Sequence, residues 1–248
     1  MALIWRKQVG NNRYEVRTHG ATVRLYSNGV FHSQWNPRDP LKGSLWELLL
    51  LPAFFVPRRT VRRVLILGVG GGALIRLLQQ FVEPELIVGV DIDPHHLTVA
   101  RKFFGVQGVT LICADARKYI AERTAEANPQ RFDLIVDDLF GHGAGVAERA
   151  VAADLPWCRQ LLKLLDPGGL AVSNFGCRQE LLQSGWRTPE MRACLSDSYS
   201  ADLPGYENCI GIFSRRALSR AVLADEAPPQ INPSCPSRRL RARLRTLR

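Results

Sequence analysis

No Cys-x-x-Cys pair occurs in this chain. Its six cysteines, Cys113, Cys158, Cys177, Cys194, Cys209 and Cys235, are scattered, so neither a zinc site nor a disulfide framework is suggested and packed, reduced thiols are expected. Long apolar runs are also lacking. The longest, Leu48 to Val56 around Pro52, is far shorter than the roughly 20 residues needed to span a bilayer, and no secretory leader precedes it, so a cytoplasmic protein with no membrane partner is expected. No internal repeat is visible, which sets aside solenoids and propellers.

What remains is 248 residues with 46% hydrophobic composition, enough for one substantial core and a small appendage. The net charge of +10 is unevenly spread. Arg238, Arg239, Arg241, Arg243, Arg245 and Arg248 occupy the last eleven residues without an acid among them, leaving +4 for the rest. Such a block can bind phosphates through counterion release, but a terminal charge run after the Pro-rich stretch Pro228 to Pro236 reads first as a linker and a solvated, disordered tail. Three regions follow: residues 1–56, a small β-hairpin and helix region; 57–222, the main domain; and 223–248, linker and tail.

Between Arg13 and Gln34 apolar and polar residues alternate in patches, and Ser27-Asn28-Gly29 supplies a tight hairpin turn. Leu45 to Phe55 reads as helical. Val61 to Leu67 is a continuous apolar run, the form of a buried parallel strand. Beyond it strands at Leu86–Val90, Val109–Cys113, Phe132–Val136 and Gly169–Ser173 alternate with helices, which is the pattern of a Rossmann-like α/β sheet covered on both faces. Asp93-Pro94 starts a helix that stops at Gly105, and Val146 to Leu165 reads as a helix kinked at Pro156.

The first of these strands ends in Gly68-Val69-Gly70-Gly71-Gly72-Ala73, where glycines allow a nucleotide or nucleoside to approach the backbone. Gly68, Gly70 and Ala73 also fit the dinucleotide fingerprint, which leaves a nicotinamide reading open. Asp91 ends the next strand about 20 residues on, placed to accept both ribose hydroxyls. The third strand delivers Asp115 and Ala116, the fourth ends in Asp137-Asp138, and the fifth follows Asp166-Pro167-Gly168-Gly169.

These landmarks, in this order, resemble the class I methyltransferases, in which the third strand end addresses the adenine. With the N-terminal hairpin, the Leu45–Phe55 helix and Gly205-Tyr206-Glu207-Asn208 added, residues 14 to 216 are similar in layout to the spermidine synthase (polyamine aminopropyltransferase) family. The resemblance implies an S-adenosylmethionine or decarboxylated S-adenosylmethionine site on Gly68, Gly70, Gly72, Asp91, Asp115 and Ala116, a small-molecule acceptor, an amine by analogy, and a homo-oligomer.

Departures from that family set the order of the readings. Gly71 stands where an Asp usually holds the aminopropyl group, Phe140 stands where a second acid follows Asp137, and Leu45-Trp46-Glu47 keeps only the Glu of Tyr-His-Glu. A donor with its carboxylate intact tolerates Gly71 better than an Asp that repels it. Methyl transfer from S-adenosylmethionine is therefore ranked first and aminopropyl transfer second.

Asp137 is the candidate catalytic residue, orienting an acceptor amine and taking its proton. Asp138 and His142 are alternatives. Asp93 reads first as the cap of the Pro94 helix. Asp137, Asp138 and Asn174 could together suit a hard cation, although no metal is expected. No Asn-Pro-Pro-Tyr follows the fourth strand, so base-amino methylation has no support. An RNA-binding methyltransferase using the Arg tail and a non-catalytic nucleoside-binding relative are the competing classes.

Overall fold

The computed structural model describes residues 1–141 and 147–247. His142 and Val146 lie outside the described residues. At the N-terminus β1 (Ala2–Val9), β2 (Asn12–His19), β3 (Thr22–Ser27) and β4 (Val30–Trp35) form an antiparallel meander in sequence order. Asn28 and Gly29 both take positive φ, 51° and 84°, the requirement of the two-residue turn that matches strand twist. The anticipated hairpin is therefore part of a four-stranded sheet. Its Val16, Leu25 and Trp35 are buried against the main domain.

α1 (Leu45–Leu50) runs directly into a 3₁₀ segment, Leu51–Phe55, with Pro52 in its first turn. The main sheet then assembles from β5 (Arg63–Leu67), β6 (Leu86–Asp91), β7 (Thr110–Cys113), β8 (Phe132–Asp137), β11 (Leu165–Phe175), β12 (Asp197–Asp202), β13 (Cys209–Ser214) and β14 (Arg243–Thr246). Spatial order is β14-β12-β13-β11-β8-β5-β6-β7, with β5, β6, β7, β8 and β11 parallel and β12, β13 and β14 antiparallel additions. A two-stranded pair, β9 (Phe140–Gly141) and β10 (Glu148–Arg149), stands beside it.

Both faces of the sheet are covered, as the unbroken apolar strands require. Val64, Ile66, Leu134, Val136, Leu170 and Val172 join one core with α1, α2 (Ala73–Phe81), α3 (Pro94–Lys102) and α8 (Arg220–Glu226). Their neighbours Leu65, Leu67, Val88, Ile135 and Ala171 point the other way, into a second core with α4 (Ala116–Ala125), α5 (Leu155–Leu164), α6 (Arg178–Gln183) and α7 (Pro189–Ala193).

Two expectations are corrected. The helix read from Val146 starts only at Leu155: Asp154 caps it by accepting from the Trp157 amide at 2.9 Å, and Pro156 sits in the first turn, where its missing N–H costs nothing, rather than at a kink. The basic tail is not a disordered extension. Arg243–Thr246 pairs with β12 as an edge strand, and Arg243 and Arg245 both reach Asp202, while Arg239 pairs with Asp39 at 2.6 Å. Arg243 and Arg245 are thus tied by ladder bonds, and they and Arg239 by acids distant in sequence.

Candidate active site

In an open parallel sheet the crevice lies at the carboxyl ends of the strands where the order reverses, here between β5 and β8. Gly68 follows β5 and Asp138 follows β8, and the two segments touch: Asp138 N donates to Leu67 O at 2.8 Å. A Cβ at Gly68 would stand 2.1 Å from the Asp138 carbonyl oxygen, and φ there is +90°, so only glycine fits. A cavity of about 310 Å³ opens at this point, at the lower end of ligand-sized pockets.

Five of the six residues expected to hold the cofactor, Gly68, Gly70, Asp91, Asp115 and Ala116, line this cavity. Gly72 does not. As the left-handed cap of α2 it faces inward, where a Cβ would meet Val106 at 2.6 Å, so it is a packing glycine. Asp91 is buried and its carboxylate shapes the loop, with Oδ2 accepting from Val69 N and Gly70 N at 2.9 Å each and Oδ1 from Asp93 N at 2.8 Å. Burial would raise its pKa, but His96 beside it and the backbone N–H groups outweigh that and hold it low. Reciprocally, the pKa of His96 is raised: burial opposes its charge, and Asp91 and Asp93 favour it.

Asp93 caps α3 through His95 N at 2.8 Å and accepts from the Tyr14 hydroxyl at 2.6 Å, so its cap reading holds and it also ties β2 to the main domain. Asp115 caps α4 through Arg117 N at 2.7 Å while lining the cavity. Ile92, 69% exposed at the cavity rim, presents an apolar face between these acids.

The candidate Asp137 stands at the end of β8. It is fully buried and does not line the cavity. Its Oδ2 accepts from Arg149 at 2.5 Å and from the Trp157 indole at 3.0 Å, a buried pair that anchors β10 and α5 to β8. Asp138 takes the opposite side of the chain and opens onto the cavity. Its Oδ1 accepts from Asn174 Nδ2 at 2.8 Å, and Asn174 Oδ1 accepts from Asn208 Nδ2 at 3.1 Å. Desolvation, opposed by the Asn174 bond and reinforced by the charge of Asp137, pushes the Asp138 carboxyl up to about 6. The two neighbouring acids face different surroundings and do not converge on one cation.

Two departures from the family pattern acquire physical reasons. At Gly71 a Cβ would lie 2.6 Å from Phe104 and 2.7 Å from Ser33 Cβ, and its amide donates to Ser33 Oγ at 2.7 Å, so the space of a side chain there is already filled. Glu47, the retained acid of α1, is 1% exposed and accepts from Lys42 N, Gly43 N, Ser44 N and Ser44 Oγ. It closes a capping box and does not line the cavity. Sequence reasoning gave no role to Phe31, His32, Ile92 or His96, which line the cavity. Among the described residues no helix is long and apolar enough to cross a membrane.

Residues 64–169 match the methyltransferase domain family. Among curated relatives, the eEF1A lysine and N-terminal methyltransferase of Danio rerio is 28% identical over 48% of this chain and 18% of its own length. The polyamine aminopropyltransferase of Aeropyrum pernix is 32% identical over 51% of this chain and 41% of its own length. The chain thus spans less than half the length of these relatives. Among solved structures, a probable spermidine synthase from Corynebacterium glutamicum superposes with a TM-score of 0.73 at 17% identity, covering 99% of this chain and 91% of that one. Human methyltransferase-like protein 13 in complex with SAH gives 0.62 at 20% identity, over 73% and 87%. Spermidine synthase in complex with the transition-state analogue AdoDATO gives 0.63 at 13% identity, over 95% and 78%.

Proposed function

For a chain of spermidine-synthase-like build on the class I methyltransferase fold, we propose methyl transfer from S-adenosylmethionine to a small acceptor, with Asp138 orienting the acceptor and taking its proton. The observation that carries this reading is the division of acids at the cavity. Asp91, Asp93 and Asp115 stand at the glycine-loop end and, among the described residues, Asp138 alone faces the remainder, while Glu47 closes the α1 capping box and Asp137 Oδ2 is held by Arg149.

The residues present fit such a donor. Gly68, where a Cβ would strike the Asp138 carbonyl, and Gly70 bring bare backbone to the cavity wall, the low-pKa Asp91 remains ionised to accept ribose hydroxyls, and Ile92 offers an apolar surface beside Asp115 and the first amide of α4 for a purine. When bound, the sulfonium donor supplies the electrophilic carbon. Asp138, with its carboxyl near 6, is mostly ionised at neutral pH yet more basic than an ordinary aspartate, which suits it to hold an acceptor and accept its proton. Asn174 and Asn208 fix its orientation from one side.

Aminopropyl transfer from decarboxylated S-adenosylmethionine is the second reading, favoured by the four-stranded N-terminal sheet and the near-complete coverage of the Corynebacterium structure. Against it stand the filled space at Gly71 and the buried Glu47. Pairing of the tail arginines with Asp202 and Asp39 favours a small acceptor over nucleic acid. The family layout also implies association of copies, which sedimentation reads directly.

Mass spectrometry of the nucleoside product tests the reading. Incubation with S-adenosylmethionine and an amine panel should yield S-adenosylhomocysteine, whereas 5′-methylthioadenosine from the decarboxylated donor, at a higher rate, would transfer the assignment to aminopropyl chemistry.

A further inference from the structure

Four carboxylates line the cavity among the described residues, and three of them are committed. Asp91 holds the glycine loop, Asp93 holds Tyr14 and the α3 N-terminus, and Asp115 caps α4. Among the described residues the Asp138 carboxylate is bonded on one oxygen, by a neutral carboxamide.

The wall that continues from Asp138 is aromatic. Phe140 follows it in sequence, and the Asn174–Asn208 relay leads to Tyr206, 41% exposed and lining the cavity. Burial and the charge of Glu47, on α1, push the Tyr206 phenol up. There Trp46 meets Phe31 edge-on with ring centroids 5.2 Å apart, and both line the cavity. Two charges act on this wall: Glu47, which does not line the cavity and whose oxygens are taken by the Lys42, Gly43 and Ser44 amides and the Ser44 hydroxyl, and the Arg24 guanidinium, 5.7 Å from the Phe31 centroid, whose field also reaches Tyr206.

An ammonium is stabilised by one buried carboxylate and by ring faces, but a second ammonium on the same ligand would lose its hydration for ring contacts alone, next to Arg24. A flat apolar body gains contact area against the same rings. Resting on the methyl-transfer reading, we propose that the acceptor is a monoamine with a flat apolar body, its nitrogen on Asp138 and its body against Phe31, Trp46, Phe140 and Tyr206. Diamines and polyamines are poor ligands of this site.

The step balances. The ammonium of the bound amine gives one proton to Asp138, freeing the nitrogen lone pair. The nitrogen–carbon bond forms as the carbon–sulfur bond breaks, and that bond's electron pair stays on sulfur, leaving a neutral thioether. The methylated amine departs as an ammonium and Asp138 returns its proton to water.

The test titrates the full chain, with S-adenosylmethionine present, with 2-phenylethylamine, butane-1,4-diamine and 2-phenylethanol, and follows labelled methyl transfer to each. The monoamine should bind and react at least tenfold better than either other probe. Tyr206→Ala should raise its KM at least tenfold while leaving donor Kd and the melting temperature unchanged. Preference for the diamine, absence of monoamine binding to donor-loaded protein, or a Tyr206→Ala variant with unchanged KM would each overturn the assignment. Failure of the donor itself to bind, read in the first injections, would instead overturn the reading on which it rests.

Discussion

Asp138→Asn separates the cost of the candidate catalytic group from its use. The folded chain holds the Asp138 proton up to about 6, against an ordinary 3.8, so ionising the group opposes folding. That interval corresponds to about 3 kcal/mol, an upper figure because solvent in the cavity screens the charge. The sign follows from proton binding: between these values the native state binds more protons than the unfolded chain, so stability falls as pH rises through this window and the full cost is present above it. Asparagine keeps an oxygen for Asn174 but carries no charge. Urea unfolding should therefore show the variant equal to the parent near the bottom of the window and more stable by about 2–3 kcal/mol at pH 8. Activity should move oppositely. The parent's kcat/KM should climb with pH to a plateau above about 6, whereas the variant should be slower by about 10²-fold or more and lack this limb. A variant with the parent's pH–stability curve would refute the burial argument, and one with the parent's rate would remove Asp138 from the chemistry.

Asp137→Ala should behave differently, leaving the Arg149 charge buried and lowering stability by about 3–5 kcal/mol in the same unfolding assay. Glu47→Gln should weaken the α1 capping box and lower stability by about 1 kcal/mol, with acceptor KM unchanged in steady-state assays. Gly71→Asp, which restores the family residue, should cost about 1–3 kcal/mol through overlap with Phe104 and Ser33 and should not bring preference for the decarboxylated donor in binding assays.

What could be read from the sequence was whatever depends on local chemistry. Glycines after a buried strand, an acid at the end of the next, and Asp115 before a helix are position-specific signals, and all but Gly72 reach the cavity. The choice between Asp137 and Asp138 was not legible, because a strand buried on both faces shows no polar–apolar alternation and the partner that claims Asp137, Arg149, lies in a stretch that reads as helix. Ser44-Leu45-Trp46-Glu47 has the capping-box spacing, so the role of Glu47 had a local signal, although the sequence reading takes it only as the retained acid of the family's Tyr-His-Glu. The tail alternated Arg243, Leu244 and Arg245 in the manner of a strand, but its charge concealed the pairing with Asp202, 41 residues away.

Calorimetric titration with S-adenosylmethionine, on the parent chain and on Asp91→Asn, tests the central claim most directly. One-to-one binding that Asp91→Asn weakens by at least about tenfold is the expected result. Absence of binding to the parent chain, or binding indifferent to Asp91, would contradict the donor site on which the account depends.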